Sequence, residues 1–488
     1  MVKTPKLTSV GTLRLAAAGL AVLGLELWGI SRPALWADEV ATVSGAKRSI
    51  GSLLAMLHNI DAVHGTYYLF MHFWVSAFGI SEFSLRLPSA IAVALTSVVV
   101  FLVARLRFDE RIAWFAMLVA ALLPRLSWAA TEARSYALAA LLASVMLLLF
   151  LLILDEENDK RQRALWVAYT FVLALCLFLF VYIALMAAAQ GMWLLRTHRG
   201  LFRRWMTAVL ISIAVSSYLI YNVIYEKGQV GWLPPISRAT LTQVFMGQAF
   251  WTNPELAFLA NGLILAVFAG AVHSTRFVSL RERQTLNLFA VILVVPTAVI
   301  VIFSLIGGSI YDSRYFTFSA PVVAITIAVA LERLFSARVS LVALALVVAL
   351  SIMSFNFFRS VDSKGTHWDQ VAAMVGKNHK VGDGILFTDF TRKSPSLSRI
   401  PIAYPSDFKG LVDVTMATPY QHTGELYDRR KPLVKELKRL ANLSTVVVLS
   451  DPAELKQYYQ VDKILSSQGF KLGKVFSADA SRLYTYNR

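Results

Sequence analysis

Cysteine and charge are both scarce in this sequence. Cys176 is the single cysteine among 488 residues and lies in an apolar run, so the chain forms no internal disulfide and offers no thiolate cluster to a metal. Charged residues make up 16% of the chain, whereas soluble domains carry about 25%. These shortages exclude a disulfide-stapled secreted scaffold and argue against a soluble globular protein.

Long apolar runs take the place of the missing charge. Hydrophobic residues make up 57% of the chain, and the mean hydropathy is +0.59. A helix needs about 20 mostly apolar residues to cross a bilayer, and the runs Tyr136–Leu154 and Asn287–Leu305 reach that length with their flanks. The sequence therefore predicts a polytopic α-helical membrane protein. The eleven predicted spans are 13–33, 85–104, 112–128, 135–154, 164–178, 180–195, 206–225, 254–272, 285–306, 316–334 and 339–357.

The N-terminal segment has the basic start of a signal peptide but no cleavage site. Basic residues precede the apolar stretch Leu15–Ile30, yet Glu26 and Trp28 stand where small residues would mark cleavage. We therefore expect an uncleaved first span.

Basic residues predict the orientation, because Lys and Arg are enriched in short cytoplasmic loops. With the N-terminus in the cytoplasm, the inner segments hold more basic residues than the outer ones. These inner segments are 3–14, 105–111, 160–163, 196–204, 276–283 and 333–338. The orientation depends on splitting the run Ala164–Leu195 near Val181-Tyr182 into two spans. We read the net charge of +17 as contact with anionic membrane lipids of the cell membrane, with no nucleic-acid partner.

Two outer loops and a polar tail complete the predicted organisation. The loop 34–84 contains an amphipathic segment, Ser49–Ile60, and a short aromatic one, Tyr67–Phe78, both typical of helices that lie in the membrane interface. A second outer loop covers 226–253. We divide the chain into a transmembrane module, 1–358, and a small extracytoplasmic α/β domain, 359–488.

Short strand-like and helix-like runs alternate in the tail, which is typical of an α/β domain. We predict strands at Gly384–Phe387 and Thr445–Leu449. We predict helices at Trp368–Val375, Pro432–Leu440 and Pro452–Tyr459.

Four polar clusters fall at span ends, all on the predicted outer side. They are Asp38-Glu39, Arg86, Glu132-x-Arg134-x-Tyr136 and Asp312-x-Arg314-Tyr315. Ionisable residues at membrane depth are costly and are functional candidates by default. A carboxylate can act as general base on a hydroxyl, and arginine forks match phosphate oxygens. The clusters therefore predict group transfer from a membrane-bound phosphate carrier, with no metal ion required.

Each cluster also has a simpler interpretation. Asp38-Glu39 would equally suit the start of an interfacial helix, where carboxylates are favoured. Arg86 and Arg134 would equally suit helix anchors at the headgroups. Four further residues raise a divalent metal as the weaker alternative, but their spacing fits no standard motif; they are His58, Asp61, His64 and His72.

Two other functional classes stay open at this point. A transporter or flippase of a lipid-linked sugar would need a pathway near the membrane midplane, whereas the polar clusters lie on one side. A scaffold that displays the outer domain would leave the arginines at the span ends without a role.

At these residues the chain resembles the GT-C glycosyltransferases that use polyprenyl-phosphate sugars. It is most similar to the family 39 protein O-mannosyltransferases and the related lipid A aminoarabinose transferases, with a tail like that of actinobacterial members. The matching motifs are Trp36-Ala37-Asp38-Glu39, His64-Gly65-Thr66-Tyr67-Tyr68, Phe78-Gly79-x-Ser81-Glu82, Arg86-Leu87-Pro88-Ser89, Thr131-Glu132-Ala133-Arg134-Ser135-Tyr136-Ala137 and Arg314-Tyr315.

The resemblance implies inverting transfer of a sugar, mannose before arabinose, to a glycan, glycolipid or protein acceptor. By position it implies Asp38 as the catalytic base, with Glu39 beside it. It implies Arg134 at the donor phosphate. The implied helpers at that phosphate are Arg86, Arg314 and Tyr315, and the implied substrate-binding candidates are Glu132, Tyr136, His64 and Tyr67. Gly65-Thr66 replaces prolines that the family usually carries there, which puts a role for His64 in doubt.

Overall fold

The computed structural model describes residues 9–226, 231–273, 278–388 and 397–488. The basic residues Lys3, Lys6, Lys227 and Arg276, which entered the orientation prediction, lie outside these ranges. The chain forms two compact units. The helical unit comprises Met1–Ile30, Ala62–Tyr67 and Arg86–Arg359, and the mixed unit comprises Ser31–Asp61, Tyr68–Leu85 and Ser360–Arg488. Most of the first outer loop thus groups with the tail, which the sequence did not predict.

Apolar helices build the helical unit, as predicted. Its helices are Ser9–Leu27, Glu82–Arg107 (shared at its start with the mixed unit), Glu110–Leu122, Pro124–Ala130, Tyr136–Asp155, Asp159–Leu179, Ala184–Thr197, Arg199–Tyr225, Arg238–Thr242, Gln248–Phe250, Pro254–His273, Leu280–Gly307, Ala320–Leu334 and Ala337–Phe358. Among the described residues, eight helices are long and apolar enough to cross a membrane, or nine if the bent pair Glu110–Leu122 and Pro124–Ala130 counts as one span. The predicted first and sixth spans correspond to Ser9–Leu27 and Ala184–Thr197, which are not in that set.

Two helix breaks follow directly from the local sequence. Pro124 opens a helix at its first turn, where a missing N–H costs nothing, and the chain bends by 54° at this point. The apolar run Ala164–Leu195 breaks at Phe180, which is extended, and continues through the turn Val181–Ile183. The predicted break is confirmed, but the helix after it has 14 residues, about 21 Å of rise, too little to cross alone.

Ion pairs tie several helix ends together at one end of the helical unit. Arg107 and Arg281 both contact Asp155, at 3.0 and 2.5 Å. Arg333 pairs with Glu282 at 2.5 Å. These residues come from segments that the basic-residue pattern assigned to one side of the membrane, and their contacts place those helix ends together.

A mixed β-sheet forms the core of the tail. Its strands are β1 (Gly384–Phe387), β2 (Val412–Asp413), β5 (Thr445–Ser450), β6 (Lys471–Ala478) and β7 (Ser481–Asn487), and β3 (Met416–Thr418) with β4 (Arg429–Arg430) forms a separate ribbon. The sheet order is β2-β1-β5-β7-β6. β1 is parallel to β2 and β5, whereas β7 is antiparallel to β5 and β6. The predicted α/β tail is confirmed.

Some of the predicted elements of the tail are present, and others are not. Both predicted strands and the helix Trp368–Lys377 are present. Pro432–Leu440 forms only a 3₁₀ turn and a four-residue helix, and the helix predicted at Pro452 begins at Leu455. The sequence missed β6 and β7. Most of β6 is exposed, so it lacks the alternation of a half-buried strand.

The first outer loop forms short helices: Ala37–Ala46, Ile50–Leu57 and Gly65–Phe78. Ser49 caps the second of these by accepting a hydrogen bond from Ser52 N. Leu53 and Met56 are buried, whereas Ile50 and Leu54 on the predicted apolar face are exposed. The two predicted helices are confirmed, and their position in the membrane interface stays a prediction.

A buried ion pair joins the first helix to the last residue of the helical unit. Arg359 Nη2 lies 2.5 Å from Glu26 Oε2, and both side chains are fully buried. The same guanidinium donates to Trp28 O at 2.9 Å and to Ser127 Oγ at 3.1 Å. Glu26, which marked an uncleaved first span in the sequence, therefore also holds that helix in place.

Replacing Arg359 alone should destabilise the protein strongly. In Arg359→Met, Glu26 is left buried without its cation, which we expect to cost about 3–5 kcal/mol of unfolding free energy. The double variant Glu26→Leu/Arg359→Met removes both charges and should recover most of that loss. Unfolding of the purified protein in detergent measures both, and a double variant as unstable as the single one would contradict the assignment.

Candidate active site

The start of the helix Glu82–Arg107 is fixed by two hydrogen bonds. The fully buried Arg86 donates from Nη1 to Ile30 O at 2.7 Å. One turn further on, Ser89 Oγ donates to Glu132 O at 2.6 Å. Pro88 has no N–H, which frees the carbonyl of Ser84 four residues earlier to accept from the Trp74 indole at 2.9 Å. Arg86 and the Glu132 motif therefore lie at the same end of the helical unit.

Glu132 and Arg134 occupy the turn between the helices Pro124–Ala130 and Tyr136–Asp155. Both side chains are buried. Tyr136 opens the second helix, and its ring lies 5.2 Å from Trp128 and 6.0 Å from Phe180, measured between centroids. Residues two positions apart on a helix do not face each other. Glu132 and Arg134 lie in an irregular turn instead, so this restriction does not apply to them.

The motif around Arg314 meets the Tyr136 motif through Phe180. Asp312 accepts hydrogen bonds from Arg314 N at 3.0 Å and forms an ion pair with Arg314 Nε at 2.9 Å. The guanidinium lies over the ring of Trp232, 5.6 Å from its centroid. The Tyr315 ring lies 5.8 Å from Phe180. The break in the run Ala164–Leu195 thus supplies the aromatic ring that joins two of the predicted motifs.

Arg125 is a further buried cation at this end, which none of the predicted polar clusters includes. It stacks between Trp128 and Trp251, at 5.0 and 4.9 Å from the ring centroids. Its guanidinium donates to Gln248 O at 3.2 Å and to Ser313 Oγ at 3.3 Å. It therefore connects the helix break at Pro124 to the residue before Arg314. Its position directly after Pro124, at the helix break, is the feature of the sequence that could have identified it.

His64 and Tyr67 belong to the helical unit rather than with the rest of the first outer loop. Both are buried, and Ala62 N donates to Glu226 Oε2 at 2.8 Å, which fastens this segment to the end of the helix Arg199–Tyr225. Within the described ranges, no three His, Cys, Asp or Glu side chains are arranged to hold a metal ion. The prediction that no metal is required stays a prediction.

Asp38 and Glu39 lie in the first turn of the helix Ala37–Ala46 in the mixed unit. The residue at the N-cap is Trp36, which makes no side-chain capping bond. Neither carboxylate therefore occupies the N-cap position, although the helix dipole favours negative charge in this first turn. Asp38 is half-buried and Glu39 is fully buried. Of the two side chains, only that of Asp38 is partly exposed.

Residues of the tail hold this acidic helix. Tyr404 donates from its hydroxyl to Glu82 Oε1 at 2.8 Å and accepts from Leu35 N at 2.9 Å. Burial raises the pKa of Tyr404, so its hydroxyl stays protonated and keeps donating. Tyr427 donates to Ala37 O at 3.4 Å. Neither tyrosine was predicted, because no local sequence pattern links them to residues so distant along the chain.

Comparison with known proteins decides the fold. The structure aligns with ArnT from Cupriavidus metallidurans in the apo state over 98% of this chain and 99% of that chain, with a TM-score of 0.64 and 14% identity. The chain has the GT-C fold. ArnT bound to undecaprenyl phosphate aligns over 99% of both chains, with a TM-score of 0.63 and 16% identity.

Other matches support the same GT-C assignment. Arabinofuranosyltransferase AftD from Mycobacteria aligns over 99% of this chain and 40% of that chain, with a TM-score of 0.57 and 15% identity. Residues 66–225 match the family model described as dolichyl-phosphate-mannose-protein mannosyltransferase. No curated protein sequence matches the chain significantly. The predicted GT-C fold is confirmed, whereas the number of eleven spans is not established.

Arg125→Lys should weaken the GT-C bundle at its break. Lysine keeps the charge but lacks the planar fork that reaches Gln248 O and Ser313 Oγ together, so we expect a loss of about 2–4 kcal/mol in unfolding free energy. Unfolding of the purified variant measures the loss. The exposed Arg338→Lys is the matched control; equal stability of both variants would contradict a role for the Arg125 fork.

Proposed function

We propose that this protein is an inverting glycosyltransferase. It moves a sugar from a polyprenyl-phosphate carrier to an acceptor hydroxyl on the outer face of the cell membrane. The observation that carries the proposal is the convergence of Arg86, Glu132–Tyr136 and Asp312–Tyr315 at one end of a GT-C bundle. A relative with this fold over its full length binds undecaprenyl phosphate, which supports a lipid phosphate as the donor.

The reaction is a single displacement at the anomeric carbon. Asp38 takes the proton from the acceptor hydroxyl while the acceptor oxygen bonds to that carbon. The bond from the carbon to the phosphate oxygen breaks, and its electron pair leaves on the polyprenyl phosphate. Because attack and departure occur on opposite faces, the anomeric configuration inverts. Glu39, buried beside the base, orients Asp38 or the substrate.

Arginine stabilises the leaving group in this proposal. Arg134 is buried in the turn before Tyr136, where the apolar surroundings strengthen its attraction for phosphate. Arg86, Arg314 and Tyr315 support it, together with Arg125. The leaving group is a phosphate monoester whose negative charge these arginines neutralise, so we propose that no metal ion is required.

The donor sugar is mannose, with arabinose as the alternative. The matched family is described by dolichyl-phosphate mannose, whereas one structural relative is an arabinofuranosyltransferase. The acceptor is a glycan, a glycolipid or a protein. The candidate substrate contacts are Glu132, Tyr136, His64 and Tyr67. We propose a cytoplasmic N-terminus and an extracytoplasmic tail, because the basic segments then face inward.

Label transfer from defined donors tests the function. The full-length protein, reconstituted with polyprenyl-phosphate mannose or arabinose carrying a radiolabelled sugar, is incubated with membrane extract. We expect labelled acceptor and free polyprenyl phosphate. A flippase would return the labelled lipid intact, and that outcome with both sugars would overturn the proposal.

Asp38→Asn should abolish transfer while leaving the protein folded. The amide cannot accept the proton, so we expect kcat to fall at least a hundredfold, roughly the contribution of a general base. Initial rates of label transfer measure this, and an unchanged melting temperature shows that the fold is intact. Asp362→Asn, an exposed carboxylate of the same unit, is the matched control; near-normal turnover by Asp38→Asn would rule out Asp38 as the base.

Arg134→Lys should impair use of the lipid donor more than use of the acceptor. Lysine retains the charge but not the two-pronged fork, so we expect the donor KM to rise roughly tenfold. Titration of each substrate at saturation of the other separates the two effects. A rise confined to the acceptor KM would contradict the assignment of Arg134 to the donor phosphate.

A further inference from the structure

A polar cavity of about 190 Å³ lies within the helical unit, apart from the candidate active site. Polar residues from four helices or their ends line it, among them Arg107, Asp155, Trp193, His198, Arg281 and Gln284. Asp155 ends the helix that Tyr136 begins, and that helix has 20 residues. Since each residue adds about 1.5 Å, the cavity lies roughly 30 Å from the motifs around Tyr136.

Cations outnumber anions around this cavity. Arg107 contacts Asp155 at 3.0 Å and Arg281 contacts it at 2.5 Å. One carboxylate therefore faces two guanidinium groups, and among the described residues no other acidic side chain lines the cavity. The local excess of positive charge favours an anionic ligand.

Buried nitrogen atoms of three lining residues have no hydrogen-bond partner among the described residues. They are Arg107 Nε, Trp193 Nε1 and His198 Nδ1. The other arms of Arg107 are occupied, because Nη1 contacts Asp155 and Nη2 donates to Leu151 O at 2.7 Å. Guanidinium and indole nitrogens only donate hydrogen bonds. Buried donors without an acceptor cost free energy. A ligand rich in acceptor oxygens would pair with them.

His198 fits the same chemistry. Its ring stacks on Trp193 with the centroids 5.2 Å apart and the planes at 22°. Burial and the nearby Arg107 lower the pKa of His198, so the ring is neutral near pH 7 and offers one N–H. The two stacked rings therefore lie side by side in the lining of the cavity.

The size of the cavity limits the ligand. Pockets for whole small molecules usually measure about 300–1,000 Å³, so 190 Å³ suits a compact headgroup rather than a sugar nucleotide or a complete donor. A phosphate group is compact, anionic and made of acceptor oxygens.

We propose that this cavity is a second anion site, which binds the phosphate group of an anionic phospholipid or free phosphate. It lies at the end of the bundle opposite to the candidate active site. Arg107 and Arg281 supply the charge, and Trp193 and His198 donate hydrogen bonds to the phosphate oxygens. The inference does not rest on the proposed transfer reaction.

Thermal unfolding of the full-length protein in phosphatidylcholine nanodiscs tests the site. One arm adds inorganic phosphate, and the other replaces phosphatidylcholine stepwise by phosphatidylglycerol; sodium chloride at equal ionic strength controls for screening. We expect the melting temperature to rise in at least one arm, because a ligand that binds only the folded state stabilises it. A rise with phosphatidylglycerol alone identifies a lipid headgroup, and a rise with phosphate identifies a soluble ligand.

Two variants test whether the ligand binds in this cavity. Trp193→Phe keeps the ring but removes the indole N–H, and His198→Phe removes the second donor. Each should require about tenfold more ligand for the same rise, the effect of one lost hydrogen bond to a charged group. Trp166→Phe is the matched control, since Trp166 is also buried with an unpaired Nε1 but does not line the cavity. No rise in either arm, or equal rises in all variants, would overturn the proposal.

Discussion

Burying charge in an apolar bundle is costly, and this constraint explains how the helical unit is organised. Ionisable side chains collect at the two ends of its helices, where they pair with one another or with backbone carbonyls. At one end Asp155 holds Arg107 and Arg281. At the other end Glu26 holds Arg359. The long apolar middles of the helices then pack without polar groups. Both the proposed active site and the proposed anion site use charges that lie at the ends of the bundle.

Helix breaks give the candidate active site its shape. The chain bends at Pro124, unwinds at Phe180, and leaves the helix Leu280–Gly307 through Gly308, whose φ of 93° is readily adopted only by glycine. Each break brings a side chain to the same end of the bundle. Arg125 follows the first, and Phe180 lies at the second between Tyr136 and Tyr315. Irregular backbone at membrane depth occurs where it is buried in protein or lines a cavity, which fits a substrate site here.

The tail contacts the acidic helix within the mixed unit. Tyr404 and Tyr427 bond to the segment that leads into the helix Ala37–Ala46, and Arg48 just beyond that helix donates to Thr423 O at 2.8 Å. The proposed base Asp38 thus stands on a helix whose two ends are both held by tail residues. A role for the tail in positioning the acidic pair follows from these contacts, whereas its sequence alone suggested only a separate outer domain.

Local patterns in the sequence determined much of this protein. Apolar length predicts the helices, the break near Val181 and the membrane class, because burial in lipid demands uninterrupted helical hydrogen bonding. The order of the motifs indicates the GT-C fold through the family resemblance, and the predicted spans place the polar clusters at span ends. Only the tertiary structure decided which of those ends meet. Glu26 and Arg359 are 333 residues apart, and Leu35 and Tyr404 are 369 apart. Such pairings depend on packing between distant segments and leave no periodicity to read, which is why Arg125 and Tyr404 emerged only from the structure.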